Sequence, residues 1–223
     1  MNIYLFIIRH AESDANRSTP YKLFKDPNLS EKGQNQCKIL RKYWKNNNKE
    51  IFNDSSHLYS SILIRSQETA LLSVPTKIVT VSNYLREMDN IFQTNFMLKG
   101  SNFPVLKIKD QHRKMEKIVK KSNLKFLHYD GDIMNETKTC YRQMISIEHG
   151  NIEKFLKMHK NHWKNGDKIF IFCHGHIIKK FLNIPKTTKI ENCSVFQVMN
   201  QKNDMFTIGK STNIKHELLF RPN

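Results

Sequence analysis

The chain has 223 residues, 39% hydrophobic and 26% charged, with 7 Gly and 6 Pro; this is ordinary globular composition and excludes collagen-like and Pro/Gly-rich disordered classes. The length suits one α/β domain with an insertion, and no apolar run approaches the ~18–20 residues that cross a bilayer. Lys+Arg is 37 against Asp+Glu 20, a net charge of +17, but 29 of the cations are Lys and only 8 are Arg, with Asn and Ile at 23 each, as compositional drift in an AT-rich genome would give.

Ile3-Tyr4-Leu5-Phe6-Ile7-Ile8 is a continuous apolar run that predicts a strand buried on both faces, as in a parallel sheet. It is too short for a signal h-region and meets Arg9 at once, so a cytoplasmic protein is expected. Ser30 is a good N-cap, with Leu29 as its staple, for a helix reaching about Lys45. Leu58–Ser61 reads as a short strand, Ser66–Ser73 as a helix and Lys77–Val81 as a strand. From about 88 to 150 charges are dense and apolar residues scattered, apart from Met115-Ile118-Val119 on one amphipathic helix. This stretch reads as a cap-like insertion over the sheet. Ile152–Trp163 has apolar residues at helical spacing, Ile169–Cys173 is a second fully buried strand, and His176–Leu182 is a helix stopped before Pro185. Ser194–Met199 and Met205–Gly209 read as a closing pair of strands. Alternation of strands and helices predicts an α/β fold in three layers, with a mostly parallel central sheet, helices on both faces and a helical insertion over the site.

The cysteines at 37, 140, 173 and 193 have no C-x-x-C spacing, and no disulfide framework is expected. Cys173 beside His174 and His176 has the residue types of a metal site, but it ends an apolar run and reads as a buried strand residue. His159 and His162 read as plain exposed helix surface. The basic runs 107–125 and 154–168 read as solvated helix faces, without the Arg clusters and aromatic stacking motifs of a nucleic-acid binder.

Two apolar strands run straight into histidines, at Arg9-His10 and Cys173-His174. Ligands in open α/β sheets bind beyond the carboxyl ends of the strands. A third strand ends near Ser60-Ser61, with Arg65 just beyond it. Two arginines and two histidines converging on one crevice would form a cationic pocket suited to a phosphoryl group, because Arg offers planar bidentate donors to its oxygens.

These residues carry a resemblance. Arg9-His10-Ala11-Glu12-Ser13 with Asn16, Leu29-Ser30-Glu31-Lys32-Gly33 with Gln36, Ser61 through Arg65 with Gln67-Glu68-Thr69-Ala70, Leu85-Arg86-Glu87, Ile169–Gly175 and Asn192-Cys193-Ser194 follow in order the blocks of the histidine phosphatase superfamily, the phosphoglycerate-mutase-like branch of α/β folds. The chain departs from the pattern at Cys173, where the family has Ser, and in one extra residue between Gln67 and Thr69. The resemblance spans 3–87 and 169–196.

It implies that His10 is the nucleophile and forms a phosphohistidine, and that Glu87 donates the proton to the leaving oxygen. Arg9, Arg65 and His174 would act in catalysis and bind phosphate, and Asn16 would add a neutral donor to the phosphate. No metal and no cofactor is implied, because arginines neutralise the charge. Glu12, Ser13 and His176 are expected to be supporting or structural. The Arg-Arg-rich block and substrate loop of the sugar-phosphate mutases are not found, which favours a phosphatase. The expected partner is a phosphorylated substrate, either a small molecule or a phosphoprotein, with no membrane association. The rivals are a phosphoglycerate-type phosphomutase and a catalytically silent or nucleic-acid-binding module on the same fold.

Overall fold

The computed structural model describes residues 1–17, 26–47, 51–74, 77–87, 108–130, 150–199, 206–208 and 214–222. In chain order the elements are β1 (Asn2–Arg9), α1 (Asp14–Arg17), α2 (Glu31–Asn47), β2 (Ser56–Ser61), α3 (Ile64–Ser73), β3 (Val79–Ser82), α4 (Ile108–Met115), α5 (Lys121–Leu124), β4 (Leu127–Tyr129), α6 (Ile152–His159), β5 (Lys168–Cys173), α7 (Gly175–Leu182), β6 (Val195–Met199), β7 (Phe206–Thr207) and β8 (Lys215–Phe220). The sheet runs β4-β3-β2-β5-β1-β6-β8, with β7 beside the start of β1. The first five strands are parallel; β6, β7 and β8 are antiparallel additions.

The apolar runs of β1 and β5 occupy the middle of this sheet, paired from Tyr4↔Lys168 to Arg9↔Cys173. Successive side chains point to opposite faces, and both faces are covered. Phe6, Ile8, Phe170 and Phe172 pack with Leu40 and Trp44 of α2 and Ala70 and Leu71 of α3. Leu5, Ile7, Ile169 and Ile171 pack with Phe155 of α6 and Ile177 and Phe181 of α7. Double coverage is why these strands are unbroken hydrophobic runs rather than alternating ones.

Local signals hold where the chain's own chemistry decides. Ser30 precedes α2 and its hydroxyl accepts the Gly33 backbone N–H at 3.1 Å, satisfying one of the open donors of the first turn. A Cβ on Gly33 would come 2.0 Å from the Glu12 carbonyl oxygen. Only glycine lets α2 lie this close to the segment after His10.

Several readings need correction. Ser194–Met199 and Met205–Gly209 do not close on each other: β6 pairs with β1 and β8, and β7 pairs with the start of β1. Lys215–Phe220 forms a further strand, β8, at the edge of the sheet, with side chains exposed or partly buried. His159 is buried, not surface; it packs on Phe155 at 4.4 Å, and its Nε2 lies 3.2 Å from Asp130 Oδ2. Within the expected 88–150 insertion, α4 ends at Met115 and Ile118 and Val119 follow in a turn. Met115 and Val119 join the main core, and Leu127–Tyr129 extends the sheet beside β3. The expected cap over the site falls on 88–107 and 131–149, outside the described residues, as does Cys140. Among the described residues no helix is long and apolar enough to cross a membrane.

Candidate active site

Four parallel strands end at one crevice. β1 leads to His10, β2 to Ser61 and then Arg65 in the first turn of α3, β5 to His174, and β3 through a 3₁₀ turn at Asn83–Leu85 to Glu87. This is where the twist and crossover of a parallel sheet leave room for a ligand.

The backbone of His10 is held from both sides. Its N–H donates to the Cys173 carbonyl at 2.9 Å. Its carbonyl accepts from Asn192 Nδ2 at 3.0 Å and from the Cys193 N–H at 3.2 Å. Cys193 makes the second contact from a left-handed conformation, with φ of 64°. The Ala11 N–H donates to Thr69 Oγ1 at 2.9 Å, and that hydroxyl donates to the Arg65 carbonyl at 2.7 Å. Thr69 therefore ties the histidine loop to the helix that carries Arg65.

The imidazole geometry fixes its tautomer. His10 Nδ1 lies 2.7 Å from the Ala11 carbonyl oxygen, which can only accept, so Nδ1 carries the hydrogen. Arg65 Nε donates to His10 Nε2 at 3.3 Å. A guanidinium can only donate, so Nε2 carries the lone pair. Burial, then Arg65, then Arg9 hold the His10 pKa well below its ordinary 6.5, because each disfavours a second positive charge. The ring is thus neutral, with its free nitrogen facing the guanidinium.

His174 stands 5.1 Å from His10, centroid to centroid, and is fully buried. Its Nε2 is 2.8 Å from Ser61 Oγ. Burial, then Arg65, His10 and Arg9, lower its pKa in the same way. Arg9 donates through one terminal nitrogen to the Ile190 carbonyl. Arg9 Nε and His174 Nδ1 are both buried and have no hydrogen-bonding partner among the described residues. Unpartnered buried polar atoms are costly, and two of them beside a neutral imidazole suit an anion with several acceptor oxygens.

Arg65 is positioned from below. Asp26 Oδ1 accepts the Ile64 N–H at 2.9 Å, capping the start of α3 one residue before the arginine. Asp26 is buried and adopts φ of 48°. Its carboxyl is pushed up to about 6 by burial, with Arg65 opposing. The turn residues Asp26-Pro27-Asn28 were the only sequence signal for this contact.

Glu87 is partly buried just beyond the end of β3, and its charge acts on Arg9, Arg65 and Cys173. The chain before α6 fixes its loop. Asn151 N–H donates to the Tyr84 carbonyl at 2.8 Å, and a Cβ on Gly150 would meet the Arg86 carbonyl oxygen at 1.9 Å. Glu87 Oε2 lies 3.5 Å from His176 Nδ1, a pairing that the sequence does not specify. Asn16 is exposed on α1, and its Oδ1 accepts from the Ser13 N–H at 3.0 Å and the Ser13 hydroxyl at 2.9 Å. Among the described residues no hydrogen bond joins it to His10, Arg65 or His174. Cys173 is a buried strand residue, and burial pushes its thiol well above the usual range, which leaves it inert as a ligand.

Comparison with known proteins bears on the same residues. Residues 5–91 match the histidine phosphatase superfamily (branch 1). The matched segment holds Arg9, His10, Asn16, Arg65 and Glu87, while His174 lies beyond it. Solved structures of phosphatases and of a phosphoglycerate mutase share the fold of this chain. A phosphoglycerate mutase from Bacillus anthracis str. Sterne superposes with a TM-score of 0.52 at 18% identity, covering 98% of this chain and 92% of that one. A phosphoserine phosphatase variant from Entamoeba histolytica, in complex with phosphoserine, gives 0.51 at 16% identity over 98% and 95%. A mycobacterial glucosyl-3-phosphoglycerate phosphatase complexed with VO3 gives 0.50 at 16% identity over 96% and 97%. No curated protein sequence matches the chain.

Proposed function

We propose that the protein is a phosphatase that hydrolyses a phosphomonoester through a phosphohistidine on His10. The observation that carries this reading is the pairing of His10 Nε2 with Arg65 Nε at 3.3 Å, with Nδ1 anchored on the Ala11 carbonyl. A lone pair on a neutral ring, aimed at a guanidinium, is what a nucleophile needs when its target is phosphorus inside an anion.

In the first half-reaction, the Nε2 lone pair forms the N–P bond as the P–O ester bond breaks. The leaving oxygen takes its proton from Glu87. Arg9, Arg65 and His174 hold the three equatorial oxygens and the charge spread across them. Asn16 Nδ2 is the neutral donor of the set, reaching the phosphate from α1. In the second half, Glu87 takes a proton from water, the water oxygen bonds to phosphorus, and the N–P electron pair returns to Nε2. Inorganic phosphate leaves. The cationic crevice suits a dianionic ester, and the phosphorylated small molecules named with the similar structures agree with that class.

Turnover of 4-nitrophenyl phosphate and trapping of an acid-labile phosphoenzyme test the reading. The His10→Ala variant should lose both. A variant that keeps full turnover overturns it. Release of inorganic phosphate, measured against transfer to a second alcohol, separates a phosphatase from a phosphomutase.

A further inference from the structure

The contact between Glu87 and His176 has a chemical consequence. A carboxyl titrating near ~4.3 carries almost no proton at neutral pH, whereas an imidazole near ~6.5 does. General acid catalysis works best when the donor titrates near the operating pH. Glu87 is mostly covered, and its charge reaches Arg9 and Arg65; His176, on the first turn of α7, is exposed to solvent. The pair therefore links bulk water to the proposed proton donor through one 3.5 Å step.

We propose, resting on the phosphohistidine reading above, that His176 is a positioning and proton-relay residue for Glu87. In the first half-reaction, His176 Nδ1–H passes its proton to Glu87 Oε2 as the leaving oxygen takes one from Glu87. In the second, Glu87 receives a proton from the hydrolytic water and returns it to Nδ1. The pair begins and ends with the same single proton, so no outside acid or base is consumed.

The groups around the pair agree with this direction. Glu87 raises the hold of His176 on its proton, chiefly through their hydrogen bond, while burial, Lys179 on the same helix and Arg9 from β1 oppose it. Arg65 from α3 and Arg9 feel the Glu87 charge, as does Cys173 at the end of β5. Arg86 adjoins Glu87 in the chain and acts on Arg65 and His174. His176 therefore stands as a solvent-exposed proton store 3.5 Å from the Glu87 carboxyl.

The test compares two aryl esters on the full-length protein, with His10→Ala as blank. Phenyl phosphate expels a strongly basic phenoxide and needs the proton; 4-nitrophenyl phosphate expels a weakly basic one and needs it less. In His176→Gln, the ratio of kcat/KM for phenyl to 4-nitrophenyl phosphate should fall at least about tenfold at roughly pH 7.5 and recover toward wild type near pH 5, where protons from solvent are far more abundant and replace the relay. Added imidazole should restore phenyl phosphate turnover, because the position is open to solvent. Equal losses on both esters across the pH range, with a phosphoenzyme still trapped, overturn the relay and leave the phosphohistidine reading standing. No wild-type turnover of either ester removes both. His176 is exposed, so the variant should fold, and an unchanged melting temperature confirms that it has.

Discussion

At the residue scale, the site is a set of side chains whose charge states are set by burial. His10 and His174 are kept neutral inside a ring of guanidinium groups. Burial acts on a carboxyl in the same sense, against its charged form. Glu68 on α3 is fully buried; its Oε2 accepts the Leu29 N–H at 2.7 Å, and its Oε1 accepts from Asn28. These bonds tie α3 to the entry of α2. Burial pushes its carboxyl up to about 8 from the ordinary 4.5, with the Leu29 and Asn28 contacts opposing. Between those values the folded protein holds a proton that the unfolded chain has released, so the Glu68 contribution to stability is full below about pH 4.5 and is lost as pH rises toward about 8. Asp26 adds the same trend up to about 6. Glu68→Gln does not titrate, so its melting temperature should gain on wild type steadily from about pH 5 to about pH 8. Parallel melting curves for the two proteins would show that Glu68 does not release a proton on unfolding.

At the scale of elements, helix entries decide where the catalytic loop sits. Ser30 caps α2, and its hydroxyl also donates to Glu12 Oε1 at 2.9 Å, so one side chain joins the helix start to the segment after His10. The Glu12 N–H donates to Gln36 Oε1 at 2.9 Å, one turn further along α2. Glu12 and Ser13 thus serve as anchors, in keeping with the supporting role expected of them. Ser30→Ala should cost about 1 kcal/mol in urea unfolding, the usual value of a lost N-cap, with some further loss from the Glu12 contact. The motif blocks and element ends coincide because each block closes a strand or opens a helix. The exceptions, β4 and β8, are three and six residues long, too short or too charged for periodicity to register.

At the scale of the whole molecule, two cores back the sheet, and the site depends on both holding four strand ends in register. Phe170 lies at the centre of one core. It stacks on Phe6 at 4.7 Å and meets Phe52 at 4.8 Å and Trp44 at 6.0 Å, and it is fully buried. Phe170→Ala should destabilise the protein by about 3–5 kcal/mol through lost burial and the cavity left behind. A lowered urea midpoint with an unchanged denaturant slope would show loss of stability without a change in the surface exposed on unfolding. A cost below about 1 kcal/mol would mean that the neighbouring rings collapse into the space.

The sequence by itself determined the parallel α/β core and the order of the motif blocks, because buried strands, caps and strand-end histidines leave local patterns. It named His10, Arg65, His174, Arg9, Glu87 and Asn16; the tertiary structure pairs His10 with Arg65 and sets His174 5.1 Å from His10, while Asn16 bonds to Ser13. Only that structure decided the tautomer of His10, the Asp26 cap beneath Arg65, the anchoring of His10 by Asn192 and Cys193, the Glu87–His176 contact and the burial of His159. Each of these joins residues far apart in the chain, through distances and desolvation that arise only when separate elements pack, and no local pattern of residue types encodes them.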